Sequence, residues 1–213
     1  IRALWIACTN PAQSIPDQAL VRRALERAEF VVVQEAFSST ATCDFADLLL
    51  PATTWGEKEG TVTNSERRIS RVRAAVPAAG QARHDWSIAT DFARRLATRL
   101  ERGALLFPYE QPEQVWNEHR ESTRGRDLDI TGMSYAQLEA RPQQWPQPEG
   151  QATGKVRLYE DGVFPTADGR ARFAATPWKA VAEPVDARYP FSLNTGRLRD
   201  QWHGMSRTGT LGR

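Results

Sequence analysis

The sequence predicts an α/β fold with an open, mostly parallel sheet, and three observations support this. Residues 2–9, 30–33 and 48–50 are short apolar segments with the length and composition of buried strands. An amphipathic helix is predicted between the first two segments, so that strand, helix and strand fill about 30 residues, the size of a βαβ unit. Such a unit joins parallel strands of one sheet through a right-handed crossover.

Local signals mark the limits of these first elements. The first strand ends at the turn pair Asn10–Pro11. Pro16 and Asp17 suit the first turn of a helix and open the second element. The helix carries apolar residues at steps of three and four, and they form one stripe: Leu20, Val21, Ala24, Leu25 and Ala28.

Four further elements are expected before residue 141. Residues 69–76 alternate apolar and polar side chains, which indicates a strand near a sheet edge. Residues 86–100 form an amphipathic helix, and residues 112–121 form a shorter one. Ser134 and Gln137 have the spacing of a capping box, which predicts the start of another helix.

The last third of the chain differs from the rest in its composition and in its predicted elements. The Pro- and Gln-rich residues 141–150 predict an extended linker. Short strands are expected at residues 155–159, 171–175 and 191–195, with Asp-Gly turns between the first two. The sequence thus predicts four parts. They are a sheet domain at residues 1–100, a helical and linker insertion at 101–150, connecting strands and linker at 151–190, and a final β segment at 191–213. Because the sequence begins inside a predicted strand and stops just after a new β segment has started, we expect it to be a piece of a longer polypeptide.

Composition disfavours several classes of protein. The 28 Lys and Arg residues against 26 Asp and Glu give a net charge of +2, which disfavours a nucleic-acid binder that acts through net charge. No apolar run has the length of a transmembrane helix, and no basic-then-apolar leader opens the sequence. Cys8 and Cys43 are too few for a disulfide framework, and no metal-ligand spacing surrounds them. The expected compartment is the reducing cytoplasm.

Ligands of open parallel sheets bind beyond the carboxyl ends of the strands. Asn10 follows the first predicted strand, and Gln34 and Glu35 follow the second, so all three are expected on one rim. Glu35 can accept hydrogen bonds from a ribose or a base edge. The alternative is that Asn10 is a turn residue and Glu35 a solvated acid. The first loop lacks a GxGxxG pattern, which disfavours a plain NAD dehydrogenase.

Two charged residues offer further ligand groups. Lys58, in the charged loop of residues 55–68, either meets an anionic or carbonyl-bearing ligand or is a solvated surface residue. Asp85, directly before the helix at residues 86–100, is either its N-cap or an acceptor for the N1–H and N2–H groups of guanine.

The densest polar and aromatic cluster lies near the end of the sequence. It consists of Thr195, Gly196, Arg197, Leu198, Arg199, Asp200, Gln201, Trp202, His203 and Gly204. The glycines permit close backbone approach, and the arginines can bind phosphates in a bidentate manner. The run suits a diphosphate-bearing cofactor, with an Arg-rich surface turn as the alternative.

Six motifs, taken in order, resemble those of the molybdopterin oxidoreductases of the dimethyl sulfoxide reductase superfamily. They are TNPAQSIPD at residues 9–17, VVVQE at 31–35, ADLLLPATTWGEKEGTVTNSERR at 46–68, RHDW at 83–86, GRARF at 169–173 and LNTGRLRDQWHGMSRTG at 193–209. Outside residues 101–151, where the similarity is only general, the resemblance covers nearly the whole chain. Its RDQWHGMSRTG run is most similar to the cytoplasmic assimilatory nitrate reductases.

This resemblance implies a Rossmann-like domain followed by the start of a double-psi β-barrel domain. It implies molybdenum held by two molybdopterin guanine dinucleotides, and two-electron reduction of nitrate to nitrite. It also implies a [4Fe–4S] cluster in an N-terminal part outside this sequence, a flavoprotein or ferredoxin as electron donor, and neither nucleic-acid nor membrane partners. The cofactor contacts that carry over are Asn10, Gln34, Glu35, Lys58, Asp85 and residues 195–204. No catalytic or metal-binding residue carries over, so the isolated segment is expected to be inactive.

Three alternatives remain open at this point. The first is another enzyme of the same superfamily, such as a formate dehydrogenase. The second is a non-catalytic relative that keeps the scaffold for structure or electron transfer, as in respiratory complex I. The third is an Arg-rich nucleic-acid module, which the nearly balanced charge disfavours.

Overall fold

A parallel sheet forms the first part of the chain, as the sequence predicts. The computed structural model describes residues 1–102, 106–194 and 196. Strands β1 (Ala3–Ala7), β2 (Phe30–Glu35) and β3 (Leu48–Pro51) lie in the order β1-β2-β3, and both pairings are parallel. In register, Leu4 faces Val31 and Gln34 faces Leu50. The α/β class with a parallel sheet is therefore confirmed.

Two helices connect β1 to β2. The turn expected at Asn10–Pro11 is in fact the start of a short helix, α1 (Pro11–Ser14), because proline is well suited to a first helical position. Helix α2 (Gln18–Glu26) begins after Asp17, whose side chain accepts a hydrogen bond from the Leu20 N–H. Asp17 therefore caps the helix, whereas the sequence predicted Pro16 and Asp17 in its first turn.

The two faces of the parallel sheet carry different helices. One face packs on α2 around buried apolar residues, namely Ile6, Ala12, Leu25, Val31, Val33 and Cys43. On the other face, the Trp5 ring meets Phe92 of helix α3 (Asp85–Arg99) edge to face, with centroids 5.0 Å apart. Leu48 and Leu49 of β3 point to opposite faces, and each is 44% exposed. The described residues thus leave both sides of β3 partly uncovered.

A second, antiparallel sheet follows the first. It contains β4 (Gly60–Thr63), β5 (Arg68–Val72) and β6 (Gln143–Gln144), in that order. The strand predicted at residues 69–76 exists, but it is the central strand of this separate sheet rather than a strand near an edge. The prediction of a linker at residues 141–150 is wrong where β6 pairs with β5, because Gln143 and Gln144 supply ladder hydrogen bonds there.

A second apolar core supports this sheet. Helices α4 (Pro112–Ser122) and α5 (Tyr135–Ala140) contribute to it, and its buried members are Ile69, Trp116, Ile130, Met133, Tyr135 and Leu138. The capping box predicted at the start of α5 is confirmed, since Ser134 and Gln137 exchange side-chain to backbone hydrogen bonds.

The backbone at Gly132 lies very close to the backbone of residues 147–148, next to this second core. The Gly132 N–H donates to the Gln147 carbonyl at 2.8 Å, and a Cβ at Gly132 would lie 2.4 Å from the Pro148 carbonyl oxygen. Only glycine fits this backbone-to-backbone contact without a shift of the chain.

The chain divides into two compact units, residues 1–158 and a unit that begins at Tyr159. Among the residues described in the second unit, none lies in a helix or strand. The strands predicted at residues 155–159 and 171–175 are therefore wrong, and residues 191–194 are not in a strand either; Thr195 lies outside the described residues. The Asp168–Gly169 turn does form, with the Phe164 N–H bonded to the Gly169 carbonyl at 2.9 Å. The β-barrel domain from residue 191 onward stays a prediction.

No helix among the described residues is both long and apolar enough to cross a membrane.

Candidate functional site

Four chain segments reach one edge of the parallel sheet. Strands β1, β2 and β3 all end there because they run in the same direction. Beside the end of β3, Ala52 forms a parallel bridge with Arg83, and the Thr53 N–H donates to the Arg83 carbonyl at 3.0 Å. This bridge brings the residues that start α3 to the carboxyl ends of the strands, where ligands of such sheets bind.

Three of the predicted ligand residues meet at this edge. Gln34 Nε2 donates to Asp85 Oδ1 at 2.8 Å, and Lys58 Nζ donates to Asp85 Oδ2 at 3.0 Å. Gln34 is 6% exposed, whereas the side chains of Lys58 and Asp85 keep about a third of their surface open to solvent. We refer to Gln34, Lys58 and Asp85 as the Asp85 cluster. It joins the end of β2, the loop after β3 and the start of α3.

The Asp85 carboxylate is held in its charged form. Partial burial acts to raise its pKa, but the hydrogen bonds from Lys58 and Gln34 and the positive charge of Lys58 outweigh burial. The net effect lowers the pKa of Asp85 from its ordinary value of 3.8. The cluster therefore presents an anionic acceptor at neutral pH.

The simpler of the two interpretations of Asp85, that it is the N-cap of α3, is wrong. His84 occupies the N-cap position without a side-chain capping bond, and Asp85 is the first helical residue. The His84 ring contacts Thr53 instead, with 3.1 Å between Nδ1 and Oγ1. Asp85 thus lies at the positive end of the helix dipole, where a carboxylate is favoured, while both of its oxygens are bound by other segments.

Lys58 is positioned by a short 3₁₀ turn, Trp55–Glu57. Thr54 and Glu57 form a capping box at this turn, in which Glu57 Oε2 accepts from the Thr54 N–H at 2.7 Å. Lys58 follows directly, and its Nζ lies 5.7 Å from the centre of the Trp55 ring. Trp55 is 58% exposed and was not among the predicted site residues. The signal in the sequence that could have pointed to Trp55 is that it is a single tryptophan among charged and small residues.

Asn10 lies at the same edge but binds protein groups. Its Oδ1 accepts hydrogen bonds from both the N–H and the hydroxyl of Thr42, at 3.1 and 2.6 Å, and its Nδ2 donates to Gln13 at 2.8 Å. Thr42 is 1% exposed. Asn10 therefore ties the loop after β1 to the loop after β2.

Glu35 is separate from the Asp85 cluster. Its Oε1 accepts from the Ala36 N–H at 2.7 Å and from the Phe37 N–H at 3.4 Å. The carboxylate thus bends back over the turn that follows β2. No hydrogen bond joins it to Gln34, Lys58 or Asp85 among the described residues.

The predicted run near the end of the sequence is described at one position only. A Cβ at Gly196 would meet no atom within 4 Å. The other members lie outside the described residues: Thr195, Arg197, Leu198, Arg199, Asp200, Gln201, Trp202, His203 and Gly204.

The cysteines contribute no cluster of ligands. Cys8 is exposed and Cys43 is buried, and both are free thiols. In the described ranges, no three His, Cys, Asp or Glu side chains gather into a group suited to a metal ion.

Comparison with known sequences gives three findings. A family model for molybdopterin oxidoreductases matches residues 1–95. The chain is 42% identical over 213 residues to a nitrate reductase of Synechocystis sp. (98% of this chain, 29% of the relative). It is 38% identical over 213 residues to the F420-dependent formate dehydrogenase subunit alpha of Methanocaldococcus jannaschii (100% of this chain, 29% of the relative).

A solved structure shares the fold. Acetylene hydratase from Pelobacter acetylenicus matches with a TM-score of 0.56 and 22% sequence identity, over 79% of this chain and 21% of that chain. The chain spans less than a third of the length of the curated relatives described here.

Proposed function

Since the chain belongs to the molybdopterin oxidoreductase family, we propose that it is the part of a nitrate-reducing molybdenum enzyme that holds one molybdopterin guanine dinucleotide. When bound, the molybdenum cofactor supplies the two-electron oxygen-atom transfer that converts nitrate to nitrite. The observation that carries the proposal is the Asp85 cluster at the carboxyl edge of the parallel sheet, because this edge is the general ligand position of such sheets.

The chemistry of the cluster fits a guanine base. A carboxylate has about four acceptor positions, and Asp85 uses one on each oxygen, for Gln34 and for Lys58. The two remaining positions match the adjacent N1–H and N2–H donors of guanine. About a third of the Asp85 side chain is open to solvent, so that a base edge can reach it. Lys58 helps to lower the pKa of the carboxylate and adds positive charge next to an anionic nucleotide.

The other assigned residues have supporting roles in this proposal. The Gln34 and Asn10 amides lie at the same edge and suit the polar groups of a nucleotide, and Glu35 suits a ribose hydroxyl. For the run at residues 195–204, support comes from its motif: Arg197, Arg199 and the Gly196 backbone hold the diphosphate. To Trp202 and His203 the proposal assigns, from the same motif, hydrogen bonding that tunes the pterin.

Several wider features belong to the same proposal. The metal is held by two such dinucleotides, and residues 191–213 open a double-psi β-barrel domain that covers them. A [4Fe–4S] cluster outside this chain receives electrons from a flavoprotein or ferredoxin, and the enzyme works in the cytoplasm. The similarity to nitrate reductases supports nitrate as the substrate.

The experiment measures cofactor in the full-length enzyme, purified without oxygen from its native host. Molybdenum and the GMP released by hydrolysis are determined for the wild type and for Asp85→Asn, with Asp91→Asn as the matched control. Asp91 is a carboxylate of the same helix that pairs with Arg83 and Arg95. The proposal expects about two GMP per molybdenum in the wild type and the control, and in Asp85→Asn the loss of the one GMP that belongs to the dinucleotide held here. Unchanged occupancy in Asp85→Asn contradicts the role of the cluster.

A formate dehydrogenase is the second candidate, because the relative from Methanocaldococcus jannaschii is nearly as similar as the nitrate reductase. The purified enzyme is assayed with reduced dye and nitrate, and separately with oxidised dye and formate. Formate oxidation without nitrate reduction selects the second candidate. Absence of both molybdenum and GMP selects a non-catalytic relative and overturns every cofactor assignment.

A further inference from the structure

Trp55 is an exposed aromatic residue next to the Asp85 cluster, and the proposed function gives it no role. Five tryptophans occur in residues 1–158. The structure leaves Trp5, Trp86, Trp116 and Trp145 buried or half-buried, whereas Trp55 is 58% exposed. The exposed part of the Trp55 indole is therefore open to contact by a ligand, and an indole provides a large, flat apolar surface.

The exposed indole is held on a well-anchored turn. The Thr54–Glu57 capping box closes the 3₁₀ turn that carries Trp55. The Gly56 carbonyl also accepts from the Ala75 and Val76 N–H groups, at 2.8 and 3.0 Å. The backbone under Trp55 is therefore fixed from two directions, which lowers the entropy lost when a ligand packs on its ring.

Lys58 connects this indole to the Asp85 carboxylate. Its Nζ is 3.0 Å from Asp85 Oδ2 and 5.7 Å from the Trp55 ring centre. A distance of 5.7 Å is near the outer limit of about 6 Å for a cation–π contact, so the ammonium group does not cover the ring. An aromatic face and an anionic hydrogen-bond acceptor thus flank the same cation.

We propose that Trp55 is a guanine-binding residue, whose indole stacks on the base that Asp85 holds by its edge. The proposal rests on the proposed function, since it takes the guanine dinucleotide as the ligand. A carboxylate fixes the edge of a base but leaves its two faces in water, and a fixed indole covers one of these faces. Aromatic stacking adds affinity, while the Asp85 acceptors select guanine through its paired N–H donors.

The test measures how fast the full-length, cofactor-loaded enzyme loses its dinucleotide at a fixed temperature. At each time point, the dinucleotide that remains with the protein is hydrolysed, and the GMP that it releases is measured. The variants are Trp55→Ala, Trp55→Phe, Trp55→Leu and Asp85→Asn. Phe30→Ala is the matched control, because Phe30 is 44% exposed but starts β2, at the opposite end of that strand from Gln34. Thermal melting of each variant reports on folding.

Stacking predicts that Trp55→Ala and Trp55→Leu release GMP roughly 5- to 150-fold faster than the wild type. Trp55→Phe, which keeps an aromatic face, stays within about threefold, and Phe30→Ala does not change the rate. The comparison of leucine with phenylalanine separates stacking from simple apolar cover, even if the alanine variant folds poorly.

Two results overturn the proposal in different ways. If Asp85→Asn loses GMP while Trp55→Leu keeps it as well as Trp55→Phe does, the stacking role is wrong and the proposed function stands. If Asp85→Asn also keeps its GMP at the wild-type rate, the Asp85 cluster does not bind guanine, and both proposals fail.

Discussion

Lys58 and Asp85 form an ion pair across 27 residues of sequence, with Nζ 3.0 Å from Oδ2. The pair connects the loop after β3 to the first residue of α3, and Gln34 adds a hydrogen bond to the same carboxylate. Between these two residues the chain forms β4 and β5 of the second sheet. The pair thus joins the two ends of the segment that supplies two of the three strands of that sheet.

The first prediction concerns the pH dependence of this ion pair. Lys58→Met removes a hydrogen bond and a charge that lower the pKa of Asp85 and leaves burial, which raises it. A lowered pKa in the folded state stabilises the protein above the ordinary value of 3.8, and this stabilisation disappears as the pH falls through the folded pKa. We expect the free energy of unfolding to differ between wild type and variant by about 1 kcal/mol at pH 6, and this difference to disappear as the pH falls below 3.8 and through the folded pKa of Asp85.

Urea denaturation across this pH range measures the effect. Arg95→Met is the control, since it removes an exposed i,i+4 partner of Asp91 while Arg83 remains. Such a pair contributes about 0.3–0.5 kcal/mol at most. An equal loss for both variants at pH 6 would show that Asp85 gains nothing particular from Lys58.

The second prediction concerns the bond between Asn10 and Thr42. Asn10→Ala leaves two donors of a buried threonine without an acceptor, which costs about 1–3 kcal/mol of stability. Asn10→Asp keeps the accepting oxygen, so we expect it to retain most of the stability. Equilibrium unfolding compares the two. Equal losses would assign the effect to the Nδ2 donation to Gln13 instead.

The third prediction concerns the second apolar core. Met133 is fully buried, so Met133→Ala is expected to lower the free energy of unfolding by about 2–5 kcal/mol. Leu128→Ala is the control, because Leu128 is 42% exposed in the same part of the chain and is expected to lose less than about 1 kcal/mol. Chemical denaturation measures both. Similar losses would mean that Met133 does not pack as the structure has it.

The fourth prediction concerns the close approach of backbones at Gly132. Gly132→Ala puts a Cβ 2.4 Å from the Pro148 carbonyl oxygen and 2.7 Å from that of Gln147, so the chain must shift. We expect a loss of about 1–3 kcal/mol. At Gly56 an added Cβ meets only the Val76 side chain at 3.7 Å, so Gly56→Ala serves as the control with a change of about 0.5 kcal/mol. A tolerated Gly132→Ala would contradict this backbone contact.

Local signals were sufficient for part of the fold. The apolar runs and the stripe of α2 identified the parallel sheet, and the spacing of Ser134 and Gln137 identified the start of α5. The pairing of β5 with β6 could not be found in this way, because two glutamines carry no strand signal of their own. The predicted strands at residues 155–159 and 171–175 had a suitable composition but find no partner strand in the described residues.

The candidate site shows the same limits. The rule for ligand positions in parallel sheets selected Gln34, and the family resemblance selected Lys58 and Asp85, but the contacts among them depend on tertiary structure. Local reasoning favoured an N-cap at Asp85, whereas α3 begins at Asp85 itself, with His84 at the N-cap, and the Asp85 carboxylate binds Gln34 and Lys58. Trp55 was not selected, because the exposure of a side chain cannot be read from the sequence.

The pairing of β5 with β6 also sets an order of events during translation. Arg67 and Trp145, which flank that pairing, are 78 residues apart. At about 5–20 residues per second, a ribosome needs roughly 4–16 s to make this stretch. All three strands of the parallel sheet are translated before that interval begins, whereas one edge of β5 stays unpaired until β6 has been made. During those seconds the nascent chain presents an open strand edge, and such an edge is a template for pairing with a strand of another chain.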